Sequence, residues 1–359
     1  MVKRLLRVVG GSLLGFFVVW ILVEGLSSIA YFTIRLIRDR AIAEERHTRY
    51  DPDLGWINLP NLHVADMYGP GIDLQTNAQS FRNRQDIPAQ APPGTLRFLC
   101  SGDSFTLGYG VSNDHTWCQA LASYDRRFEA VNMGQGGYGF DQAFLWFRRD
   151  GARLDHQLHL FAFITEDFQR MRSDRFIGYG KPLLHLDGGE LVVGNVPVPR
   201  RIPVFSWLAA HRGHLANLAS VHLGQAVAGK LGTNRQSLPA ADDRTWQPVV
   251  RKIVEELVAL NRAKGSRLVL VHLPTRQDYR TCGSAGWQDF LAETSRQLDV
   301  PLFDLIPDLG ALPPGEVDGM FLAPGQVQYF GAAGHYTERG NAWVASLLYA
   351  RLKALPGGI

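Results

Sequence analysis

Ser104 stands where a chain delivers a serine for chemistry. The run Leu96 to Cys100 is short and apolar, with the length of a buried parallel strand, and it stops at Gly102-Asp103-Ser104, where such a strand turns toward a helix. In open α/β sheets, ligand chemistry gathers at that edge. A second strand, Glu129 to Asn132, runs into Gly134-Gln135-Gly136-Gly137-Tyr138-Gly139, a loop whose backbone N–H groups can approach a forming oxyanion. A third, Leu158 to Ile164, ends in Thr165-Glu166-Asp167 and should deliver that triplet to the same edge. A serine hydroxyl is a poor nucleophile at neutral pH unless a positioned imidazole takes its proton, and a histidine, His335, stands just before a helix over Ala342 to Leu352. The bland alternative is a capping serine in an ordinary turn and a glycine cluster that only bends the chain.

Gly102-Asp103-Ser104-x-Thr106-x-Gly108 resembles the first block of the GDSL/SGNH hydrolases, whose nucleophile is the serine after Gly-Asp. Asn132-x-Gly134-x-x-Gly137 resembles their second block, which implies the Gly137 N–H as an oxyanion donor beside the N–H of Ser104. Gly334-His335, with Gly340-Asn341 at the following helix entry, resembles the last block and implies His335 as the base. Two positions depart from the pattern. The third block is Gly-x-Asn-Asp, and aligning Asp167 with its aspartate puts Glu166 where the oxyanion-binding asparagine belongs. An ionised carboxylate about 4 Å from an oxyanion costs roughly 4 kcal/mol at an effective dielectric near 20. Either Glu166 holds its proton, it points away, Thr165 supplies the donor, or the site is weakened. The family also places Asp three residues before the histidine, where this chain has Ala332. Losing that carboxylate can cost about 10⁴ in turnover, so Asp318, Glu316 or a backbone carbonyl is left to orient the imidazole.

The elements that position these residues alternate. Asp114 to Tyr124 reads as a helix, as does Asp141 to Asp150 with Asp141 as its cap; Trp246 to Lys264 is amphipathic, Ser266 to Leu273 is a strand, Gln288 to Leu298 a helix and Pro301 to Leu305 a short strand. The fold class is α/β, and the resemblance implies a three-layer α/β/α sandwich with a mainly parallel sheet over residues 95–355. The family pattern implies that the loop Pro274 to Tyr279, which follows a strand, also lies near the site, which makes Arg276 and Asp278 candidate substrate-binding residues, with a solvated polar loop as the alternative. Residues 174–243 break the rhythm and read as an insertion: a hairpin over Leu183 to Val198 turning at Asp187-Gly188-Gly189-Glu190, then a largely apolar helix or helix pair over Val204 to Lys230. His211, His214 and His222 lie in the latter without Cys or acidic neighbours, so no metal site is assigned. Residues 41–94 are an irregular lead-in with one or two short strands; Tyr50-Asp51-Pro52-x-Leu54-Gly55-Trp56 and Thr76-Asn77-x-x-x-Phe81-Arg82 resemble the lead-in of membrane-anchored SGNH proteins.

From Val8 to Ile34 the only formal charge is Glu24, a stretch long enough to cross a bilayer as a helix, so residues 1–40 read as a single membrane anchor. Ser28-Ile29-Ala30 leaves signal cleavage open. Arginines follow the span as well as precede it, so charge does not set its orientation; the resemblance favours an exported domain. The chain has 359 residues, 46% of them hydrophobic, enough for a full core, and a net charge of +3 that is dispersed and gives no case for a nucleic-acid partner. Of the three cysteines, Cys100 reads as a core residue, which leaves Cys118 and Cys282 as the pair available for a disulfide. Function then reads as a serine esterase or O-acyltransferase acting on an ester or acetyl group of a cell-envelope carbohydrate, with no metal or cofactor called for. The competing reading is a catalytically degenerate SGNH-fold module serving as a binding or scaffold part of an envelope-polysaccharide assembly.

Overall fold

The computed structural model describes residues 2–38, 47–176, 179–199, 245–281 and 284–358. The chain divides into two units. To the first belongs helix α1, Val2–Arg38, whose segment Gly10–Ala30 is 21 residues long and apolar enough to cross a membrane. Leu13, Phe16, Val19, Leu22 and Leu26 on it are exposed, as side chains facing lipid would be.

The second unit opens with two hairpins where one or two strands are expected: β1 (Thr48–Asp51) pairs with β2 (Gly55–Asn58), and β3 (His63–Gly69) with β4 (Ile72–Gln75), both antiparallel. Next come β5 (Leu96–Gly102), the short α2 (Ser104–Leu107), α3 (Trp117–Ala122), β6 (Phe128–Gly134), α4 (Phe140–Arg149), β7 (Leu158–Phe163) and α5 (Thr165–Arg170). An excursion of small antiparallel pairs follows, β8 (Arg175–Phe176) with β9 (Tyr179–Gly180) and β10 (Leu183–Asp187) with β11 (Glu190–Gly194), the latter turning where the sequence places its hairpin. Residues 200–244, with His211, His214 and His222, lie outside the described residues, as does Cys282. The alternation resumes with α6 (Gln247–Ala263), β12 (Arg267–His272), α7 (Arg276–Arg280), α8 (Ala285–Leu298), β13 (Leu302–Asp304) and, after shorter turns, α9 (Glu338–Ala354).

Five strands form one parallel sheet in the order β13-β12-β7-β5-β6. Alternate residues along each strand face opposite ways, so Leu99, Val131, Phe161, Leu268 and Leu270 pack under α4, α6 and α8, while Phe98, Cys100, Leu160, Val269 and Val271 pack under α3 and α9. The result is a three-layer α/β/α sandwich. β6 lies at one edge beside β5, and β7 on the other side of β5, so the reversal of strand order falls where the carboxyl ends of these three strands meet.

The cysteine expectation is overturned. Cys118 is fully buried on α3 and bonds Cys100 on β5, with the two Cα atoms 6.2 Å apart. Burial of Cys100 does not remove it from pairing, because α3 lies directly over its face of the sheet and brings the second thiol into the same dry layer.

Candidate active site

Asp103 ends β5 in an extended conformation and caps α2, its Oδ1 accepting the Phe105 N–H at 2.9 Å. Ser104 is thus the first residue of a short helix that starts at the sheet edge, and its N–H belongs to the first turn, where no carbonyl of the helix can receive it. Asn132 at the end of β6 supports this turn from below, donating to the Thr106 carbonyl at 2.8 Å. Gly134 has no room for a side chain: a Cβ there would overlap the backbone of Leu107.

His335 meets the serine. Its Nε2 lies 2.7 Å from Ser104 Oγ, and its Nδ1 lies 3.3 Å from the carbonyl oxygen of Ala332. An Nδ1–H donated to that carbonyl leaves the Nε2 lone pair aimed at the serine hydroxyl, the tautomer a general base needs. The imidazole stands between Phe105 and Tyr109, with ring centres 4.6 and 5.2 Å away. Burial among these rings pushes its pKa down to about 4, the Ala332 carbonyl opposing and the Arg170 charge adding to the fall. Asp318 pairs with Arg276, and Glu316 with Arg339, so of the three orienting groups open from sequence the carbonyl is the one in contact. The Gly340-Asn341 signature has its cause here: Thr337 caps α9 through the Gly340 N–H, and Asn341 Oδ1 accepts from Trp117 N at 2.9 Å, tying the histidine-bearing turn to α3.

Gly137 has φ of +75°, and its N–H donates to no described residue. The preceding Gly136 carbonyl accepts from Trp56 Nε1 at 2.8 Å, so β2 of the lead-in helps fix this loop. Glu166 lies at the start of α5, partly buried, with Oε2 sealed from water and without a hydrogen-bond partner among the described residues. Burial raises its pKa; Asp278 and Asp103 raise it further, while its own backbone N–H and Arg170 pull the other way. Thr165, the alternative donor, has its hydroxyl 3.0 Å from His272 Nε2. Arg276 is taken up by Asp318. Asp278 caps its own helix through Thr275 N at 2.7 Å and accepts from Ser284 Oγ at 2.7 Å. Asp278 still acts on the site through its charge, as Glu166 shows.

Several neighbours of the pair carry no signal in the sequence. Arg170 Nη1 contacts Asp103 Oδ2 at 3.1 Å, Asp167 Oδ1 at 2.7 Å and the Tyr138 carbonyl at 3.0 Å, a buried cluster behind the serine turn. Burial raises the pKa of both carboxyls against the pull of Arg170, and Asp167 is raised furthest because Asp103 adds its own charge. Tyr109 OH lies 3.5 Å from Nε2 of the buried His47, and Arg82, fully buried, holds the loop after α2 through the carbonyls of Leu107, Gly108 and Val111 and through Asn113 Oδ1. The Arg170–Asp167 spacing of three residues on one helix is the one hint that could have pointed to that cluster.

No family model matches the chain, and no curated protein matches it. Among solved structures it is similar to a member of the lipolytic protein G-D-S-L family from Veillonella parvula, at 13% identity over 73% of this chain and 100% of that one, with a TM-score of 0.41. A lipase/acylhydrolase from Enterococcus faecalis gives 12% identity over 72% and 96%, with a TM-score of 0.40. An acetyl xylan esterase gives 10% identity over 72% and 100%, with a TM-score of 0.41. These three carry the names of a lipolytic protein, a lipase/acylhydrolase and an esterase.

Proposed function

We propose that the chain is a serine esterase or O-acyltransferase that works through an acyl-serine intermediate. The observation that carries this is the 2.7 Å contact between Ser104 Oγ and His335 Nε2, with the far side of the imidazole held by a carbonyl. The hydroxyl proton passes to Nε2 as Oγ bonds to the ester carbonyl carbon, and the N–H groups of Ser104 and Gly137 face the oxyanion. Glu166, protonated, is the third donor. As the intermediate collapses, Nε2–H returns the proton to the departing alcohol and the acyl group stays on Ser104. Water or a sugar hydroxyl then attacks the acyl carbon as His335 takes its proton, and collapse breaks the bond to Oγ, to which Nε2–H returns the proton. Hydrolysis and acyl transfer therefore differ only in the acceptor.

The substrate class proposed is an acetylated or otherwise acylated carbohydrate of the cell envelope, reached by a domain that α1 anchors on the exported side. The buried Cys100–Cys118 disulfide favours that compartment, since thiols are kept reduced in the cytosol. Ala332 and Glu166 favour the second reading, a degenerate module that binds without turning over. A fluorophosphonate serine probe separates the two: the wild-type chain is expected to be labelled at Ser104 and the Ser104→Ala and His335→Ala variants to lose label and aryl-ester turnover while keeping their melting transitions. An unlabelled wild-type chain would move the assignment to the binding module.

A further inference from the structure

Resting on the serine reading above, we infer that Phe176 is the wall that limits the acyl group at this site to acetyl size. A Cβ built on Gly137 would come 2.6 Å from Phe176 Cε1 and 3.4 Å from Trp56 Cζ2, so the Phe176 ring lies in direct contact with the backbone of the proposed oxyanion residue. Phe176 is only partly buried and packs against the core from its edge.

The ring is held firmly. Trp56 stacks on it at 6.3 Å with an interplanar angle of 25°, and the Arg170 guanidinium lies over it, 5.3 Å from its centre. The strap that carries it, β8 and β9, is pinned by a fully buried Lys181, whose Nζ contacts Asp141 Oδ2 at 2.6 Å and the Ser173 carbonyl at 3.1 Å. Asp141, expected as the cap of α4, serves this purpose instead, the cap position being Gly139.

The side on which the acyl group lies follows from proton transfer. His335 must protonate the departing alcohol, so that part of the substrate lies toward the imidazole and its ring neighbours Phe105 and Tyr109. The acyl chain then takes a direction away from His335 and distinct from that of the oxyanion, and the inference places it beside Gly137 against Phe176. A chain longer than acetyl would have to displace a ring backed by Trp56 and Arg170. An apolar pocket discriminates by roughly 10-fold or more per methylene it cannot house.

The test is hydrolysis of p-nitrophenyl acetate, butyrate and octanoate by the full chain in detergent, with Phe176→Ala and Phe176→Leu beside the wild type. Expected is a fall in kcat/KM of at least 10-fold from acetate to octanoate in the wild type, a rise of at least 10-fold in the octanoate-to-acetate ratio in Phe176→Ala, and an intermediate ratio in Phe176→Leu. If turnover is too slow to read, the labelling rates of Ser104 by methyl and octyl p-nitrophenyl phosphonates give the same ratio. An unchanged ratio in both variants, or a wild type that already favours octanoate, overturns the inference while Ser104→Ala stays inert. Activity retained in Ser104→Ala, or neither turnover nor labelling in the wild type, overturns the serine reading and the inference with it.

Discussion

His335 Nδ1 faces the neutral Ala332 carbonyl, so in the serine reading the imidazolium formed when Ser104 gives up its proton has that carbonyl, and no carboxylate among the described residues, against its far side. With its pKa pushed down by burial to about 4, the imidazole stays neutral, and so competent as a base, until the pH falls through that value. For the serine reading, kcat/KM on an aryl ester is expected to keep its plateau down to about pH 5 and to lose it near 4; an acid limb at the ordinary histidine value of about 6.5 would contradict the buried geometry. In the same reading Glu166 sets the other limb. Its raised pKa means that the donating, protonated form is lost as pH rises, so activity should fall on the alkaline side, Glu166→Asn and Glu166→Gln should keep activity without that fall, and Glu166→Ala should lose about 10²-fold or more in turnover. An unchanged rate in Glu166→Ala would show the carboxyl pointing away. The meeting of Ser104 and His335 was readable because each sits in a short pattern at the end or start of an element. Arg170 and Tyr109 were not: an arginine one turn into a helix and a tyrosine in a loop look like any surface residue until the partners that bury them are known.

The lead-in shows the same limit one level up. Its Pro, Gly and Asn content reads as irregular chain, yet Asn77 Oδ1 accepts the N–H groups of Gln79 and Phe81, both at 3.0 Å, and this turn sends the Arg82 side chain into the interior. The motif ending in Phe81-Arg82 therefore has a mechanical meaning: Phe81 packs on Trp146, and Arg82 gathers the carbonyls of the segment that follows Ser104. Burial pulls the Arg82 pKa down, Tyr68, Tyr109 and Asp114 pull the other way, and the carbonyl cage holds the guanidinium in place. Arg82→Met leaves those carbonyls without a donor, and a loss of roughly 3 to 5 kcal/mol in unfolding free energy is expected from denaturant titration. Arg82→Lys, with the charge kept but the planar fork lost, should keep part of the stability and lower kcat more than it raises KM. Full stability in Arg82→Met would mean that the cage closes without it.

At the scale of the molecule, the layers were legible because strand and helix periods differ and the core strands are apolar on both faces, as Leu158–Phe163 shows with six buried residues. The cysteine pairing was not, since it depends on which helix lies over β5. Alkylating the denatured protein without reductant, followed by peptide mapping, is expected to block Cys282 alone; three blocked cysteines would remove the Cys100–Cys118 bond. Closing a loop of 18 residues should contribute about 3 kcal/mol, so Cys118→Ser should melt lower. The lead-in also joins parts far apart along the chain. Trp56 bonds Gly136, 80 residues on, and the Leu54 carbonyl takes Gln142, 88 residues on. Leu54, Trp56 and Phe81 are buried in the same core as α4, so the segment acts as a clasp whose release would disturb the core and the glycine loop together.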